Sequence, residues 1–237
     1  MSQVIDFHSH ILPGIDDGSK NVEESLQMLR MMAKQGITHV VATPHFYPQH
    51  DTPERFLRRR AEAEAALREA MARENGLPKL SVGAEVYYFR GISDSDAIKE
   101  LTVDHKKCIL IEMPSAPWTQ TMYQELEALS VKRGLTPVIA HLDRYIGPFR
   151  THGIPKRLAT LPVLVQANAE FFLERSTSAM ALRMLKKGSI HLLGSDCHNM
   201  KSRKPNLGDA LEWIRRKLGK DIVTALNENA QMVLTEE

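Results

Sequence analysis

The sequence predicts an α/β protein in which short parallel strands alternate with helices, and it favours a barrel over an open sheet. First, β-branched runs alternate with longer helical patterns along the chain. Second, several of the runs are apolar at successive positions, as in parallel strands that are covered on both faces. Third, all seven runs end in a side chain that can bind a ligand. A barrel brings all its strand ends to one mouth, whereas an open sheet gathers them mainly near its switch point.

The strands and helices follow each other in a regular order. Strands are predicted at Val4–Phe7, His39–Thr43, Leu80–Glu85, Cys108–Glu112, Pro137–Ala140, Val163–Ala167 and Ile190–Gly194. Helices are predicted at Val22–Gln35, Pro53–Asn75, Gln120–Arg133 and Ser178–Lys187, with two more at about 207–218 and 221–234. Thr52 before Pro53 is typical of a helix N-cap with a proline in the first turn. Glycine follows each of the first four helices, where a left-handed cap is common, at Gly36, Gly76, Gly134 and Gly188.

Composition indicates one globular domain over residues 1–237, a length common for single α/β barrels. Hydrophobic residues make up 43% and charged residues 25%, which argues against disorder, collagen or a coiled coil. A net charge of +2 does not indicate a nucleic-acid-binding protein. No integral membrane segment and no signal peptide are expected, and two cysteines, Cys108 and Cys197, do not form a disulfide framework. We therefore expect a cytoplasmic protein with reduced thiols.

The polar groups at the strand ends predict a metal site. They recur every 27 to 40 residues, as His8 and His10, His45, Glu85, Glu112, His141, Gln166 and Asn168, and Asp196 and His198. Singly, each could be a surface histidine, a structural core histidine or a helix cap. A carboxylate buried at the end of an apolar strand needs a partner, however, and a cation provides one. Five histidines and three carboxylates at one mouth therefore predict several metal ions, and mixed nitrogen and oxygen donors favour manganese, iron or zinc over calcium.

Four segments carry a resemblance to a known family. They are DFHSHILPGIDDG at 6–18, GAEVYY at 83–88, IAHLDRY at 139–145 and SDCHN at 195–199. In these segments the chain resembles the PHP (polymerase and histidinol phosphatase) superfamily. Within it, the chain is similar to the bacterial manganese-dependent protein-tyrosine phosphatases of capsule and exopolysaccharide gene clusters. The resemblance implies a single-domain, distorted (β/α)7 TIM-like barrel that holds three divalent ions, with manganese favoured and iron or zinc as alternatives.

The resemblance also implies which side chains hold each ion. By analogy, the first ion is held by His8, His10, Glu85 and Asp196. The second is held by Glu85, which bridges, and by Glu112 and His141. The third is held by Asp17, His45 and His198. Asp17 is identified as a candidate ligand by the resemblance alone. Without the resemblance we would interpret it as an acid near the start of the following helix.

The implied activity is hydrolysis of phosphotyrosine. Three divalent ions, four carboxylates and a bridging hydroxide leave about one positive charge, which suits a phosphate monoester dianion. The hydroxide that bridges the ions would be the nucleophile. The resemblance implies a protein substrate, the tyrosine-rich tail of a bacterial tyrosine kinase that regulates polysaccharide synthesis.

Several basic and amide side chains are candidates for substrate contact. Arg144 and Arg203 are predicted to be catalytic by stabilising phosphoryl charge, with solvated loop arginines as the alternative. The basic run Arg55–Arg60 is interpreted as a solvated helix face, or as a docking surface for an acidic, tyrosine-rich peptide. Gln166 and Asn168 are expected to hydrogen-bond ligands or substrate, or simply to pack at the mouth.

Other functions remain open at this point. Cys197 and Arg203 match the C-x5-R spacing of cysteine-dependent phosphatases, but the segment has no glycine for a phosphate-binding loop, so that mechanism is disfavoured. The same metal site could serve a small-molecule phosphatase, such as a histidinol phosphatase, or a phosphodiesterase. A metal-bound regulator without catalysis is a third hypothesis. The sequence leaves the physiological metal and the oligomeric state open.

Overall fold

The structure is a computed structural model that describes residues 3–146 and 153–236. Within these residues the strands are β1 Ile5–Ser9, β2 His39–Ala42, β3 His45–Phe46, β4 Lys79–Val82, β5 Glu85–Tyr87, β6 Cys108–Glu112, β7 Thr136–Ile139, β8 Leu164–Asn168 and β9 Leu192–Gly194. The helices are α1 Val22–Lys34, α2 Pro53–Met71, α3 Gln120–Val131, α4 Ile154–Leu158, α5 Ala169–Leu173, α6 Ser178–Lys186, α7 Leu207–Leu218 and α8 Lys220–Thr235. Short 3-10 helices lie at Ile92–Asp94, Asp96–Leu101, Val103–His105 and Leu142–Arg144.

The predicted alternation of strands and helices is confirmed in its order, and its local signals are confirmed as well. The Thr52 side chain accepts a hydrogen bond from the Arg55 N–H at the start of α2, with Pro53 in the first turn. The four glycines predicted to follow helices have φ between 66° and 81°. α2 ends earlier than predicted, at Met71, and the short helices α4 and α5 were not predicted.

One predicted strand proves to be broken, and another is followed by a short additional strand. The predicted strand Leu80–Glu85 is two strands, β4 and β5, and β3 follows β2 after Thr43 and Pro44. Pro44 has no N–H to donate to a ladder, so pairing stops there. Gly83 separates β4 from β5 where the backbone passes so close to Val103 that a Cβ would lie 2.8 Å from its Cγ2.

Every strand pair is parallel. The hydrogen-bonded orders are β1-β2-β4 and β3-β5-β6-β7-β8-β9, and the two sets are linked because β2 runs on into β3 and β4 into β5. The sheet curls, so that its first strand approaches the segment after its last. There the Asp196 N–H donates to the His8 carbonyl at 2.8 Å, and the His10 N–H donates to the Cys197 carbonyl at 2.9 Å. The chain therefore has an α/β fold built on a curled parallel sheet.

Alternate strand residues separate into two apolar clusters. Leu110 of β6, Val138 of β7 and Leu192 of β9 belong to the cluster on the concave face. Their neighbours along the strands, such as Ile109 and Ile111, pack instead against the surrounding helices. The concave cluster is covered by α8, whose carbonyl at Leu234 accepts a hydrogen bond at 2.8 Å from Lys106 Nζ.

This arrangement fixes the two ends of the fold. Lys106 stands just before β6, so the end of α8 lies at the amino ends of the strands. The carboxyl ends of the strands lie at the opposite side of the fold, which is where the functional residues of such folds are found. None of the helices in the described ranges is both long enough and apolar enough to cross a bilayer.

Candidate metal centre

The strand ends bring four imidazoles around one buried carboxylate, that of Glu85. Its Oε2 lies 3.2 Å from His8 Nε2, 3.3 Å from His10 Nε2 and 3.0 Å from His45 Nδ1. Its Oε1 lies 2.7 Å from His141 Nε2. Residues that are up to 133 positions apart in the sequence therefore share one pocket, as the spacing of strand ends predicts.

A bulge in β1 aims its two histidines into this pocket. Asp6 pairs with Val40 and Ser9 pairs with Ala42, so β1 has one more residue than β2 between these points. Phe7 belongs to the concave apolar cluster, and strict alternation would turn His8 to the other face. The extra residue lets Phe7 and the histidines that follow it face the same side, as bulges next to functional sites commonly do.

Three groups of side chains in the described residues have the proximity needed to hold an ion. Within each group the donor atoms lie within 4.8 Å of one another. The groups are His8, His10 and Glu85; His45, Glu85 and Glu112; and His10, Asp17, His45 and His198. Seven of the nine predicted ligands belong to these groups, and the other two lie against them. His141 Nε2 is 2.7 Å from Glu85 Oε1, and Asp196 Oδ1 is 3.4 Å from His10 Nε2.

The chemistry of these donors fits divalent cations. Buried polar atoms without a hydrogen-bond partner are costly. Several atoms that have none among the described residues converge here: His45 Nδ1, Glu85 Oε2, Glu112 Oε2, Asp196 Oδ1 and His198 Nε2. Some of these atoms lie close to a neighbouring polar group without the geometry of a hydrogen bond; His45 Nδ1, next to Glu85 Oε2, is one of them. Imidazole nitrogens and carboxylate oxygens directed at a common space are satisfied by cations.

The electrostatics of the pocket shift neighbouring groups in opposite directions. Burial disfavours a charged imidazole, but Asp16 raises the pKa of His10 well above its usual value. Burial would raise the pKa of Asp196, but the His8 and His10 imidazoles hold it well below its usual range. Burial and the nearby His10 lower the pKa of His198 to about 3. Protons and cations thus compete for the same atoms.

Asp16 is a functional residue that the sequence reasoning missed. It is buried, and its Oδ2 accepts hydrogen bonds from His10 Nδ1 at 2.8 Å and from the His45 N–H at 3.0 Å. Its Oδ1 accepts from the Gly18 N–H at 2.9 Å. Because Nδ1 of His10 is bound in this way, Nε2 is left to face the centre. The adjacent Asp17 is 65% exposed and reaches the centre from the rim, with Oδ1 3.3 Å from His198 Nε2.

A second missed acid, Asp6, lies beneath the centre. Its Oδ1 accepts from the Ser195 N–H at 2.8 Å, which ties β1 to the end of β9. Burial raises the pKa of Asp6 to about 6 in spite of this hydrogen bond. The sequence gives no signal for this role, because the bulge in β1 breaks the alternation between Asp6 and His8.

Gln166 and Asn168 connect the ligands by hydrogen bonds. Gln166 Oε1 accepts from the His141 N–H at 2.6 Å and lies 3.4 Å from His8 Nδ1. Gln166 Nε2 donates to Asn168 Oδ1 at 3.1 Å, and Asn168 Nδ2 donates to Asp196 Oδ2 at 2.9 Å. Both side chains therefore support ligands, which is one of the two interpretations that the sequence left open.

The two predicted catalytic arginines stand at the rim and meet at Asp196. Arg144 donates to Asp196 Oδ2 at 2.8 Å and to Glu112 Oε1 at 3.2 Å. Arg203 Nη2 lies 2.9 Å from Asp196 Oδ1, and its Nη1 lies 3.8 Å from Asp17. Both side chains are partly exposed, so their guanidinium groups can face an entering anion.

Two ligand-bearing positions have unusual backbones. His141 has φ 30° and Asp196 has φ 52°, both in the left-handed region that non-glycine residues seldom adopt. Each lies two residues past the end of a strand, β7 or β9, and its side chain reaches the pocket. Strain of this kind concentrates at functional sites, where the surroundings hold it in place.

The geometry around Cys197 argues against a thiolate nucleophile. Its side chain is fully buried, and burial raises the pKa of its thiol well above the usual value. The loop to Arg203 folds on itself, with the N–H groups of His198 and Asn199 donating to the Arg203 carbonyl. These amides are therefore not arranged around the sulfur as a phosphate cradle.

A cavity of about 670 Å³ opens beside the centre. His45 and Asp17 line it, and Tyr47 stacks on His45 with ring centroids 4.9 Å apart. The arginines Arg55 and Arg59 line the same cavity together with Asp51. The cavity is large enough for an aromatic phosphate ester, and Tyr47 gives it an aromatic wall next to the candidate metal ligands.

Comparison with known families places this geometry in a functional context. The family described as "Capsular polysaccharide synthesis, CpsB/CapC" matches residues 4–235. The tyrosine-protein phosphatase CpsB of Streptococcus agalactiae is 30% identical over 245 residues, which cover 98% of this chain and 98% of that protein.

Solved structures agree with the sequence relatives. A crystal structure described as one of the metal-dependent tyrosine phosphatases, YwqE from Bacillus subtilis and CpsB from Streptococcus pneumoniae, superposes with a TM-score of 0.86 and 27% identity, covering 99% of this chain and 95% of that one. A D-hydantoinase from a Thermus species is similar in fold alone, with a TM-score of 0.57 and 12% identity over 99% of this chain and 71% of that one.

Proposed function

Because the chain belongs to the CpsB/CapC family of capsular polysaccharide synthesis, we propose that it is a metal-dependent phosphatase that hydrolyses phosphotyrosine in proteins. The relatives that it matches over nearly their whole length are tyrosine-protein phosphatases. The observation that carries the proposal is the set of buried, unpartnered imidazole and carboxylate atoms around Glu85, beside a cavity with an aromatic wall.

Three divalent ions, with manganese favoured, are the proposed cofactors. His8, His10, Glu85 and Asp196 would hold the first, Glu85, Glu112 and His141 the second, and Asp17, His45 and His198 the third. The proposal is supported by the proximity of these donors and by their nitrogen and oxygen chemistry. Bound ions would polarise the phosphoryl group and supply a water-derived nucleophile at neutral pH.

The chain's own residues would bind the ester and stabilise developing charge. Arg144 and Arg203 would exchange their contacts with Asp196 for the phosphoryl oxygens, to which a guanidinium can donate two hydrogen bonds. The tyrosyl ring of the substrate would lie against Tyr47. Asp16 would keep His10 in one orientation through the reaction, since it binds the ring nitrogen that faces away from the centre.

A distorted (β/α)7 barrel is the proposed full architecture. Counting β2 with β3 and β4 with β5 as broken strands leaves seven strand positions. The bridge between Ser9 and Cys197 and the backbone hydrogen bonds beside it support closure between β1 and the segment after β9. Similarity to TIM-barrel hydrolases supports the same architecture.

The proposed substrate is the phosphorylated tail of a bacterial tyrosine kinase that regulates capsule or exopolysaccharide synthesis. The match to a capsular polysaccharide synthesis family supports this choice. Cytoplasmic location stays a prediction.

Phosphotyrosine-peptide hydrolysis with parallel metal analysis tests the proposal. We expect activity to be lost with a chelator, restored by Mn²⁺ and little affected by alkylation of thiols. Cys197→Ser is expected to keep both metal and activity, because the buried thiol has no role in the chemistry. Activity that survives complete metal removal, or that vanishes in the Cys197 variant with its metal content intact, would contradict the proposed mechanism.

Substrate comparison separates the alternative functions. Faster hydrolysis of histidinol phosphate or of a phosphodiester than of a phosphotyrosine peptide would indicate a different substrate on the same site. A manganese-loaded protein that is inert towards every phosphoester would indicate a regulator.

A further inference from the structure

The basic run Arg55–Arg60 does not form a single surface. Arg60 is buried and donates to the carbonyls of Gly83 at 3.0 Å and Glu100 at 2.9 Å, so it fastens α2 to the sheet. Arg58 is exposed and lies outside the cavity beside the metal centre. Arg55 and Arg59 instead line that cavity together with His45.

Asp51 holds these two arginines together. Its Oδ1 pairs with Arg55 Nε and its Oδ2 pairs with Arg59 Nη2. Two guanidinium groups against one carboxylate leave this group of three side chains with a net positive charge. The Arg55 side chain is 54% exposed and that of Arg59 is 42% exposed, so both can donate to a further group.

We propose that Arg55 and Arg59 form a subsite for an acidic side chain next to the phosphotyrosine of the substrate. The inference rests on the proposed function and names its preferred substrates, peptides in which Asp or Glu flanks the phosphotyrosine. The phosphotyrosyl group would enter past Tyr47 towards His45, and the flanking carboxylate would meet the arginines.

The shape and charge of the cavity support this assignment. One continuous space of about 670 Å³ connects His45 and Asp17 with the arginine pair, so a single peptide can reach both. Guanidinium groups bind carboxylates with two parallel hydrogen bonds, and a pair held by Asp51 is already oriented. Asp17 and Asp51 line the same space and would repel a continuous polyanion such as a nucleic acid.

Each arginine also donates to a backbone carbonyl, Arg55 to that of His50 and Arg59 to that of Ile15. Arg55 is the better residue to test, because the Ile15 carbonyl lies next to Asp16 and Asp17 of the candidate metal centre. The experiment measures kcat/KM of the manganese-loaded protein for three phosphotyrosine peptides with Asp, Ala or Lys at the flanking positions. For the unaltered protein we expect a preference for the Asp peptide over the Ala peptide of about fivefold at low salt, the scale of an exposed ion pair. This preference should shrink as salt is added.

Charge reversal at Arg55 should reverse the preference. With Arg55→Glu, the Lys peptide should be used better than the Asp peptide, and with Arg55→Gln the two should become nearly equal. Arg58→Glu is the matched control, since it makes the same change in charge on the same helix outside the cavity. It should keep the order of the unaltered protein, and thermal melting checks that all variants are folded.

Each result decides a separate question. Equal loss of preference in Arg58→Glu and Arg55→Glu would show a long-range charge effect and overturn the subsite. An unaltered protein that hydrolyses all three peptides equally would also overturn it while leaving the phosphatase activity intact. No hydrolysis of any phosphotyrosine peptide would instead refute the proposed function.

Discussion

At the scale of single residues, the adjacent acids Asp16 and Asp17 have different positions in the candidate metal centre. Asp17 faces the rim and Asp16 is turned inward onto His10 and His45. Sequence could identify Asp17 only through resemblance. It could not identify Asp16, because its role arises when the loop folds back. Gly18 makes that return possible, since a Cβ there would lie 2.2 Å from the His10 carbonyl oxygen.

Removing the charge of Asp16 should weaken metal binding without unfolding the protein. In Asp16→Asn the side chain keeps its shape but no longer holds the His10 ring as a charged acceptor. We expect Mn²⁺ affinity to fall by about 10- to 100-fold, as for other residues that orient metal ligands. Calorimetric titration measures this, and Asp209→Asn, at an exposed acid on α7, is the control that should bind normally. Equal affinity in both variants would remove Asp16 from the centre.

Loss of Arg144 should reduce turnover and leave the metal in place. Arg144→Gln removes a rim guanidinium that contacts Glu112 and Asp196. If it stabilises charge on the phosphoryl group, kcat should fall by about 10²- to 10³-fold, as when one donor to a transition state is removed. Steady-state kinetics with metal analysis tests this, with exposed Arg175→Gln as the control. A fall in activity that follows a fall in metal content would mean that Arg144 only positions Asp196.

At the scale of elements, apolar runs predict where strands lie but not how they bend. The run Cys108–Glu112 is one strand as predicted, because nothing interrupts its ladder. The run before Glu85 breaks at Gly83, and that break depends on Val103 from a distant segment. The bulge in β1 could not be predicted from the sequence either, since it is defined by the register of β1 against β2. Irregularities fixed by tertiary contacts are thus the part that sequence periodicity misses.

The junction between β1 and β9 should tolerate no added atom at Gly194. A Cβ there would lie 2.5 Å from His8 Cβ and 2.8 Å from the His8 nitrogen. Gly194→Ala should cost about 1–3 kcal/mol of unfolding free energy through overpacking and should weaken metal binding by displacing His8. Gly134→Ala is the control: its φ is 66°, but no atom of residues 3–146 or 153–236 lies within 4 Å of an added Cβ. It should cost about 1 kcal/mol of backbone strain and leave metal affinity unchanged. Normal metal affinity in Gly194→Ala would contradict this view of the junction.

At the scale of the whole molecule, the carboxyl and amino ends of the strands have different roles. The carboxyl ends of the strands carry the predicted ligands, and the amino ends are covered by α8. The spacing of polar strand ends predicted the first of these, although His45 and Glu85 begin short strands of their own, β3 and β5, and Asp17 lies in the loop after β1. The sequence predicted a helix at about 221–234 but could not predict where this helix packs, since an amphipathic pattern does not specify its partner.

The stability of the concave core should therefore depend on α8. Val233 is 1% exposed and packs in the concave cluster, whereas Met232, its neighbour on the same helix, is 58% exposed. Val233→Ala should lower the free energy of unfolding by about 2 kcal/mol, the transfer free energy of the lost methyl groups plus the cavity that they leave. Met232→Ala should change it by less than about 0.5 kcal/mol. Urea unfolding followed by circular dichroism measures both. Equal effects would mean that α8 lies on the surface of the fold and does not close it, and the strands would then need another cover for their amino ends.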